Sequence, residues 1–444
     1  MVHTIDTPGL GDRSYLVHDG TTAFVVDPPR DIDRVLSAAA GHAVTISKVF
    51  ETHVHNDYVS GGLALSRRTG AAIVANIDDD LSFGVQGVTH GDMIRVGTMT
   101  VEARHSPGHT HTHLCYLVHL DGFVRAVFTG GSLLYGTVGR TDLVGEDATD
   151  QLTRDQWATV RSLVEDVDDD VPVYPTHGFG SFCSAQAGAD RQSGTIGDER
   201  TNPALANDDV DAFVEELLAG LTDYPAYYAH MGPLNRAGIA EPDLSAPVGV
   251  DVDELAARLD AGEWVVDLRD RCAYAGRHLV GTFNFEAEGL PTHLGWLMPW
   301  ASRLTLLAEN PDDITLAQRA LCRIGIDRPS AGDLAASVDR LATSEYPVVD
   351  YDDLAAVAIT DRDFDVIDVR RSDEYEAGHL DGAINIPLHE LLDHLHHVPD
   401  NQLWVHCASG ARASIAASVL HRARFDVVLV DGGPDDRSVR RERR

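Results

Sequence analysis

The chain reads as an α/β protein made of one large module followed by two smaller, mutually similar ones. Three observations predict this. Up to residue 240, short β-rich apolar runs alternate with helical stretches, the pattern of layered sheets and helices. Beyond residue 248, "WVVDLRDRCAYAGRHLVGTFNF" and "DVIDVRRSDEYEAGHLDGAINIP" repeat one design. Each has an apolar strand ending in Asp-x-Arg, then an aromatic, a Gly shortly before a His, and Gly-x-x-Asn, which marks duplication of a whole domain. Finally, 444 residues exceed the ~250–300 that one core holds. The expected domains are 1–240, 248–342 and 346–438.

The elements follow in order. "YLVHDGTTAFVVDPP" predicts strand, turn and strand, and "DIDRVLSAAAGH" a helix with an acidic first turn. "ISKVFETH" is a buried strand, and "GLALSRRTG" a helix closed by Gly70. "AAIVAN", "MIRVGTMTVEARHS", "HLCYLVHLDGFVRAVFTGG" and "VPVYPTHG" supply further strands. "QLTRDQWATVRSLVED" and "VDAFVEELLAG" are helical, and "HMGPLNRAGIAEPDLSAPVG" reads as a Pro- and Gly-rich linker.

Composition narrows the function. The formal net charge is −35, and Lys48 is the sole lysine. Acidity spread along the chain predicts a solvated surface suited to high salt, a halophilic trait. It excludes the basic footprint of nucleic-acid binding. The five cysteines, Cys115, Cys183, Cys272, Cys322 and Cys407, are scattered without a C-x-x-C pair, which predicts a reducing cytoplasm rather than a disulfide framework. No signal peptide is read at the start, and no stretch approaches the ~18 apolar residues of a membrane helix.

"ETHVHNDYVSGG" places His53, His55 and Asp57 at alternating positions after a strand, a ligand-rich cluster for a hard or borderline cation. His109 in "SPGHT" and His177 in "YPTHG" sit in two further turns. This constellation resembles the metallo-β-lactamase superfamily, with its T-H-x-H-x-D-H, P-G-H, F-T-G-D and final His. The resemblance implies an αββα sandwich with a metal cleft. Tyr58 stands where that pattern has a His, and Gly131 where it has the bridging Asp; both departures count against a two-metal hydrolase. "GRTDL" after the F-T-G-x stretch is most similar to persulfide dioxygenases, which hold one iron with two His and one Asp. That resemblance implies one metal ion, iron(II) first and zinc second, with His53 and His109 as leading ligands. His55, Asp57 and His177 complete the candidate set, and Gly131 weakens the hold on the ion. Asp57 is alternatively a general base or an anchor for His55. Tyr58 is a hydrogen-bond donor or a packing residue. Cys183 is a cleft thiol or a small core residue. His105, His111 and His113 are read as structural or exposed.

"LWVHCASGARASIAASVL" carries the second signal. An apolar strand ends in Cys407, and the loop Ala408, Ser409, Gly410, Ala411, Arg412 leads into an Ala-rich helix. Loop amides and the positive helix end then face the sulfur and stabilise a thiolate or persulfide anion. Arg412 is placed to bind an oxyanion. Four residues separate Cys407 from Arg412, one fewer than in the C-x5-R loop of cysteine phosphatases. This shorter loop resembles rhodanese sulfurtransferases, as do Asp368, Arg370, Glu374, His379 and Asn385 upstream. The first repeat has no cysteine at the matching place, because Cys322 falls within a helix and Cys272 lies earlier. It is read as an inactive rhodanese. His389, His394, His396 and His397 are read as a solvated helical face.

The whole resembles fused persulfide dioxygenase–sulfurtransferases: an αββα sandwich followed by two rhodanese-like α/β domains. It implies small sulfur substrates (a low-molecular-weight persulfide such as that of glutathione, thiosulfate, sulfite). Neither nucleic acid nor membrane is an expected partner, and a homo-oligomer is allowed. Two alternatives stand beside it: a thioester hydrolase of the hydroxyacylglutathione type, and a sulfur carrier with a non-catalytic lactamase-like domain.

Overall fold

The computed structural model describes residues 1–186, 188, 191–206, 208–287, 289–356 and 363–433. The last residues expected in the third domain, 434–438, lie outside them. The chain divides into two compact units, one carrying Met1–Pro242 and the other nearly all that follows.

In the first unit, two six-stranded sheets stack face to face. One runs through Val2–Thr7, Asp12–His18, Thr22–Val26, Thr45–Phe50, Ala72–Asn76 and Gln86–Val88 in chain order. The other is ordered Gly194–Thr195, Pro172–Pro175, Phe123–Gly130, Leu114–Leu120, Met99–His105, Met93–Val96. Side-chain alternation builds the layers. Tyr15, Val17, Phe24 and Phe50 face Val101, Tyr116, Val118 and Phe128 across the central core. Their neighbours Leu16, Val25 and Val49 turn outward onto the helices Asp33–Gly41 and Gly62–Thr69. On the far side, Leu117, Val127 and Val173 pack on Glu146–Asp166 and Val210–Ala219. Both faces of both sheets are covered, which explains apolar runs such as "AFVV", and the layers read αββα.

The segment read as a linker is in part a helix, Tyr228–Ala237, despite Pro233 within it. Burial of Tyr228, Met231, Gly232 and Asn235 outweighs the hydrogen bond that proline forfeits.

The second unit holds two five-stranded sheets in which neighbouring strands run parallel and follow the same order. The first is Gly249–Val250, Ser330–Asp333, Leu304–Ala308, Trp264–Asp267, Phe283–Asn284. The second is Val348–Asp350, Val427–Asp431, Gln402–His406, Phe364–Asp368, Ile384–Asn385. The repeated motif makes the same bonds twice. Arg269 forks onto Asp267 and Arg370 onto Asp368, and each also reaches a carbonyl, of Arg277 or of Gly378, at 2.8 Å. His278 and His379 each bond the carbonyl of a tyrosine four residues earlier at 2.9 Å. The histidine-rich segment forms two 3-10 turns, Leu388–Glu390 and Leu395–His397, rather than one helix. The His/Cys/Asp/Glu clusters able to hold a metal among the described residues all lie in the first unit.

Candidate functional site

Strand ends build the first site. Thr45–Phe50 runs into the loop from Glu51, Phe123–Gly130 into Gly131, and Pro172–Pro175 into Thr176 and His177. Those last two strands pair in parallel with Gly130 opposite Pro175. This delivers Gly131 and His177 to one edge, as parallel strands do with their C-terminal ends. The loop after Phe50 is bent rather than extended, because Asp27 draws it inward by accepting the Thr52 N–H at 2.7 Å. The ring nitrogens of His53 and His55 therefore bond to different groups, whereas simple alternation has the two side chains pointing the same way.

His53, His109 and His177 each offer a ring nitrogen within 4.8 Å of the others, and all are buried. Their outer nitrogens are occupied. Thr52 Oγ1 donates to Asp27 at 2.8 Å and so accepts from His53 Nδ1, also at 2.8 Å. His109 Nδ1 donates to the Arg140 carbonyl at 2.7 Å. His177 Nδ1 meets Asp12 at 2.9 Å and Asp57 at 3.1 Å. These bonds orient all three Nε2 atoms toward one point, as outer partners do for metal-bound imidazoles. His109 Nε2 is buried without a partner, and His177 Nε2 lies 3.3 Å from His53 Nε2. Burial and the facing imidazoles push His53 well down, and burial with His177 pushes His109 to about 3. Both thus stay neutral, the ligating form. Burial also opposes charge on His177, but Asp57 and Asp12 raise it to about 10. Its proton is the one that an arriving cation displaces. The donor set fits a single borderline cation such as zinc or iron(II).

His55 turns elsewhere. Its Nε2 faces the Tyr58 hydroxyl at 3.1 Å, Asp27 at 3.3 Å and Glu51 at 3.6 Å. Despite burial these carboxylates raise it to about 9. One of its nitrogens is also within 4.8 Å of Asp57 and His177, forming a second candidate cluster. Tyr58 donates to the Asp27 carbonyl at 3.2 Å and stacks on His55. Gly131 is a packing requirement. A Cβ there would lie 2.2 Å from His109 Cδ2 and 2.6 Å from its Nε2. The imidazole occupies the space that an aspartate would need, while the Gly131 N–H donates to His113 at 3.0 Å. His105 bonds the His111 carbonyl at the surface. Cys183 is buried 3.9 Å from the Tyr228 hydroxyl, and burial pushes its thiol well up, so it sits as an inert core residue.

Several contributors escape a sequence reading. Asp27, in "VVDPP", gathers Thr52, Thr176 and His55 and adopts φ 49; an Asp closing an apolar strand was its signal. Asn235, in the supposed linker, bonds the carbonyls of His55 and Tyr58 at 2.8 and 2.9 Å and the Ser60 N–H at 2.8 Å. Arg140 of "GRTDL" positions His109 through its carbonyl and is itself clamped by Asp142. A small pocket lies beside His53 and His55, walled by Val54, Leu63, Phe83 and Leu234.

The second site is the Cys407 loop. Strand Gln402–His406 ends at Cys407, and helix Ala411–Arg422 begins after Gly410. The buried sulfur accepts the N–H groups of Gly410 at 3.1 Å and Ala413 at 3.4 Å. Arg412 does not stand free: Glu374 engages both arms of its guanidinium at 2.6 and 2.7 Å. Burial opposes charge on Glu374, yet Arg412 holds its carboxyl low. Gly410 has φ 92, and a Cβ there would stand 2.8 Å from Asp431 Oδ1 and 2.9 Å from Gly432 N. Gly410→Ala is expected to cost about 1–2 kcal/mol for the left-handed conformation alone and to displace the loop. A melting curve and a sulfur-transfer assay check this.

The Metallo-beta-lactamase superfamily matches residues 8–178, and the Rhodanese-like domain matches residues 352–436. Both domains are present in this chain. The lactamase fold implies a metal ion, and the histidine clusters are where this chain would hold it. A hydroxyacylglutathione hydrolase of Polaromonas sp. (strain JS666 / ATCC BAA-500) is 30% identical over 160 residues, 35% of this chain and 57% of its own. The hydroxyacylglutathione hydrolase of Maricaulis maris (strain MCS10) is 34% identical over 139 residues, 30% of this chain and 52% of its own. The chain thus spans about half the length of the curated relatives it matches. A metallo-β-lactamase structure from Staphylococcus aureus aligns over 75% of this chain and 98% of its own, with TM-score 0.66 and 24% identity, a likeness of fold. Among the described residues no helix is long and apolar enough to cross a membrane.

Proposed function

We propose that this chain is a rhodanese-type sulfurtransferase, acting through a Cys407 persulfide, joined to a mononuclear persulfide dioxygenase-like centre. One observation carries the reading: Cys407 Sγ receives the Gly410 and Ala413 N–H groups at a helix start within a rhodanese-like domain. Hydrogen bonds to a charged acceptor contribute about 1.5–3 kcal/mol each, so this cradle favours sulfur anions. The Cys407 thiolate attacks the outer sulfur of thiosulfate. A new S–S bond forms, the old one breaks, and sulfite leaves with the bonding pair. Cyanide or a thiolate then attacks the outer persulfide sulfur, and Cys407 departs as thiolate. Arg412, held by Glu374, braces the loop, and the loop amides of Ala408 to Ala411 face the incoming anion.

In the first unit, His53, His109 and His177 would hold the ion, with His55 and Asp57 beside them. Iron bound there would supply oxygen-activating chemistry toward a low-molecular-weight persulfide, of which glutathione persulfide is the first to test. Asp12 and Asp57 fix the His177 ring, the Arg140 carbonyl fixes His109, and Thr52 fixes His53. The first five-stranded sheet of the second unit, 248–342, acts as a rhodanese-like repeat without the nucleophile, ahead of the active one at 346–438.

Metal analysis coupled to oxygen uptake tests the first half. One iron per chain and oxygen consumption with glutathione persulfide are expected; no iron and no uptake leave a sulfur carrier with a non-catalytic cleft. The hydrolase relatives favour a second reading, a thioester hydrolase. Tyr58 and Gly131 oppose it, and turnover of S-lactoylglutathione by the zinc-loaded chain would establish it instead.

A further inference from the structure

The repeat without a loop cysteine does more than pack beside the one that carries Cys407. Within itself, Asn284 works as Asn385 does in the other repeat. Each side-chain amide donates to two carbonyls: Asp267 at 3.2 Å and Arg269 at 2.9 Å for Asn284, and Asp368 and Arg370, both at 2.9 Å, for Asn385. Asn284 then adds two bonds across to the helix Ala411–Arg422. Its Oδ1 accepts from Ser414 Oγ at 2.6 Å, and its backbone N–H donates to Ser418 Oγ at 3.0 Å. Asn284 is fully buried and both serines are 1% exposed, so water does not compete for these bonds. One turn further, Arg422 donates to the Gly281 carbonyl at 2.9 Å and lies over the Phe283 ring. Residues 414, 418 and 422 are spaced i, i+4, i+8, one face of the helix, and that face is gripped by the segment Gly281–Asn284.

We propose that Asn284 is a positioning residue for Cys407. The inference rests on the sulfurtransferase reading only for its consequence in turnover. Ser414 directly follows Ala413, whose N–H reaches Cys407 Sγ at 3.4 Å. A small slide of the helix removes that donor and misaims the loop. Arg271, from the same first repeat, reinforces the hold by pairing with Asp431 at 2.8 Å, beside Gly410. An element without a nucleophile thereby sets the geometry of the nucleophile in its neighbour.

The test uses the full chain in a Cys272→Ser background, since Cys272 is the exposed thiol among the five. Asn284→Ala and Ser414→Ala are compared with the parent by the pH profile of Cys407 alkylation with iodoacetamide, by thiosulfate:cyanide kinetics and by melting temperature. Ser414→Ala removes one oxygen and keeps a helix-favouring residue, so it folds even if Asn284→Ala does not. Each variant is expected to shift the alkylation profile to higher pH and to lower kcat about tenfold or more with KM little changed. The double variant is expected to be no worse than the worse single, because both remove the same Ser414–Asn284 bond. Unchanged alkylation and kcat in Ser414→Ala, or losses that simply track unfolding, overturn the proposal. If the parent transfers no sulfur, the sulfurtransferase reading fails, while the alkylation profile still decides whether Asn284 positions Cys407.

Discussion

Cys407→Ser is expected to lower thiosulfate:cyanide sulfur transfer at least about a thousandfold, on the order of 4 kcal/mol of transition-state stabilisation. The expectation follows from bond-making rather than from packing. A serine hydroxyl fits the same buried space, and its oxygen is placed to take the Gly410 and Ala413 N–H groups that Sγ now accepts. Folding should therefore survive, and a melting curve should overlay the parent within a few degrees. What is lost is the ability to form and release a persulfide, since a hydroxyl at neutral pH is a poor nucleophile toward sulfur. Transfer that persists at the parental rate would remove Cys407 from the chemistry. Loss of the melting transition together with activity would leave folding as the cause, and mass spectrometry of the parent after thiosulfate, seeking one added sulfur on the Cys407 peptide, separates the two.

Gly131→Asp carries the second large effect, and its direction runs against the simplest reading of the motif. Judged by pattern, the substitution restores a missing ligand and should tighten metal binding. Judged by space, it fails. The new Cβ would begin 2.2 Å from His109 Cδ2, so the imidazole must leave its bond to the Arg140 carbonyl. Overpacking of a filled core costs about 1–3 kcal/mol, and an aspartate confined there adds a desolvation cost. Gly131→Asp is therefore expected to lower the melting temperature and to reduce bound metal per chain. His109→Ala serves as reference, since it removes the donor outright. Tighter binding with an unchanged melting temperature would mean that His109 yields its place and that the three-histidine set is wrong.

The cysteine loop was the most legible part. Its chemistry depends on six consecutive residues, Cys407 to Arg412, between a strand and a helix, so spacing along the chain is nearly the spacing in space. The duplicated Asp-x-Arg and Gly-x-x-Asn were legible for the same reason, each pair bonding within one repeat. The partner of Arg412 was not, because Glu374 is distant in sequence and an arginine free to bind an anion looks identical to one already paired. Tyr228–Ala237 looks like linker in sequence because its Pro and Gly content hides the burial of Tyr228, Met231 and Asn235 that holds the helix.

By itself the sequence determined the layering of the first unit, the repeated motif in the second, the candidate nucleophile Cys407, and the five candidate ligands His53, His55, Asp57, His109 and His177. Only the tertiary structure decided how those ligands divide. A histidine presents two nitrogens, and which one is free depends on what the other bonds. For His53 that is Thr52, held by Asp27; for His109, the carbonyl of Arg140; for His177, Asp12 and Asp57. These partners, apart from Thr52, come from elsewhere in the chain, and no local pattern encodes them. Gly131 makes the same point: in sequence it is a ligand lost, and in space it is the room that the His109 ring fills.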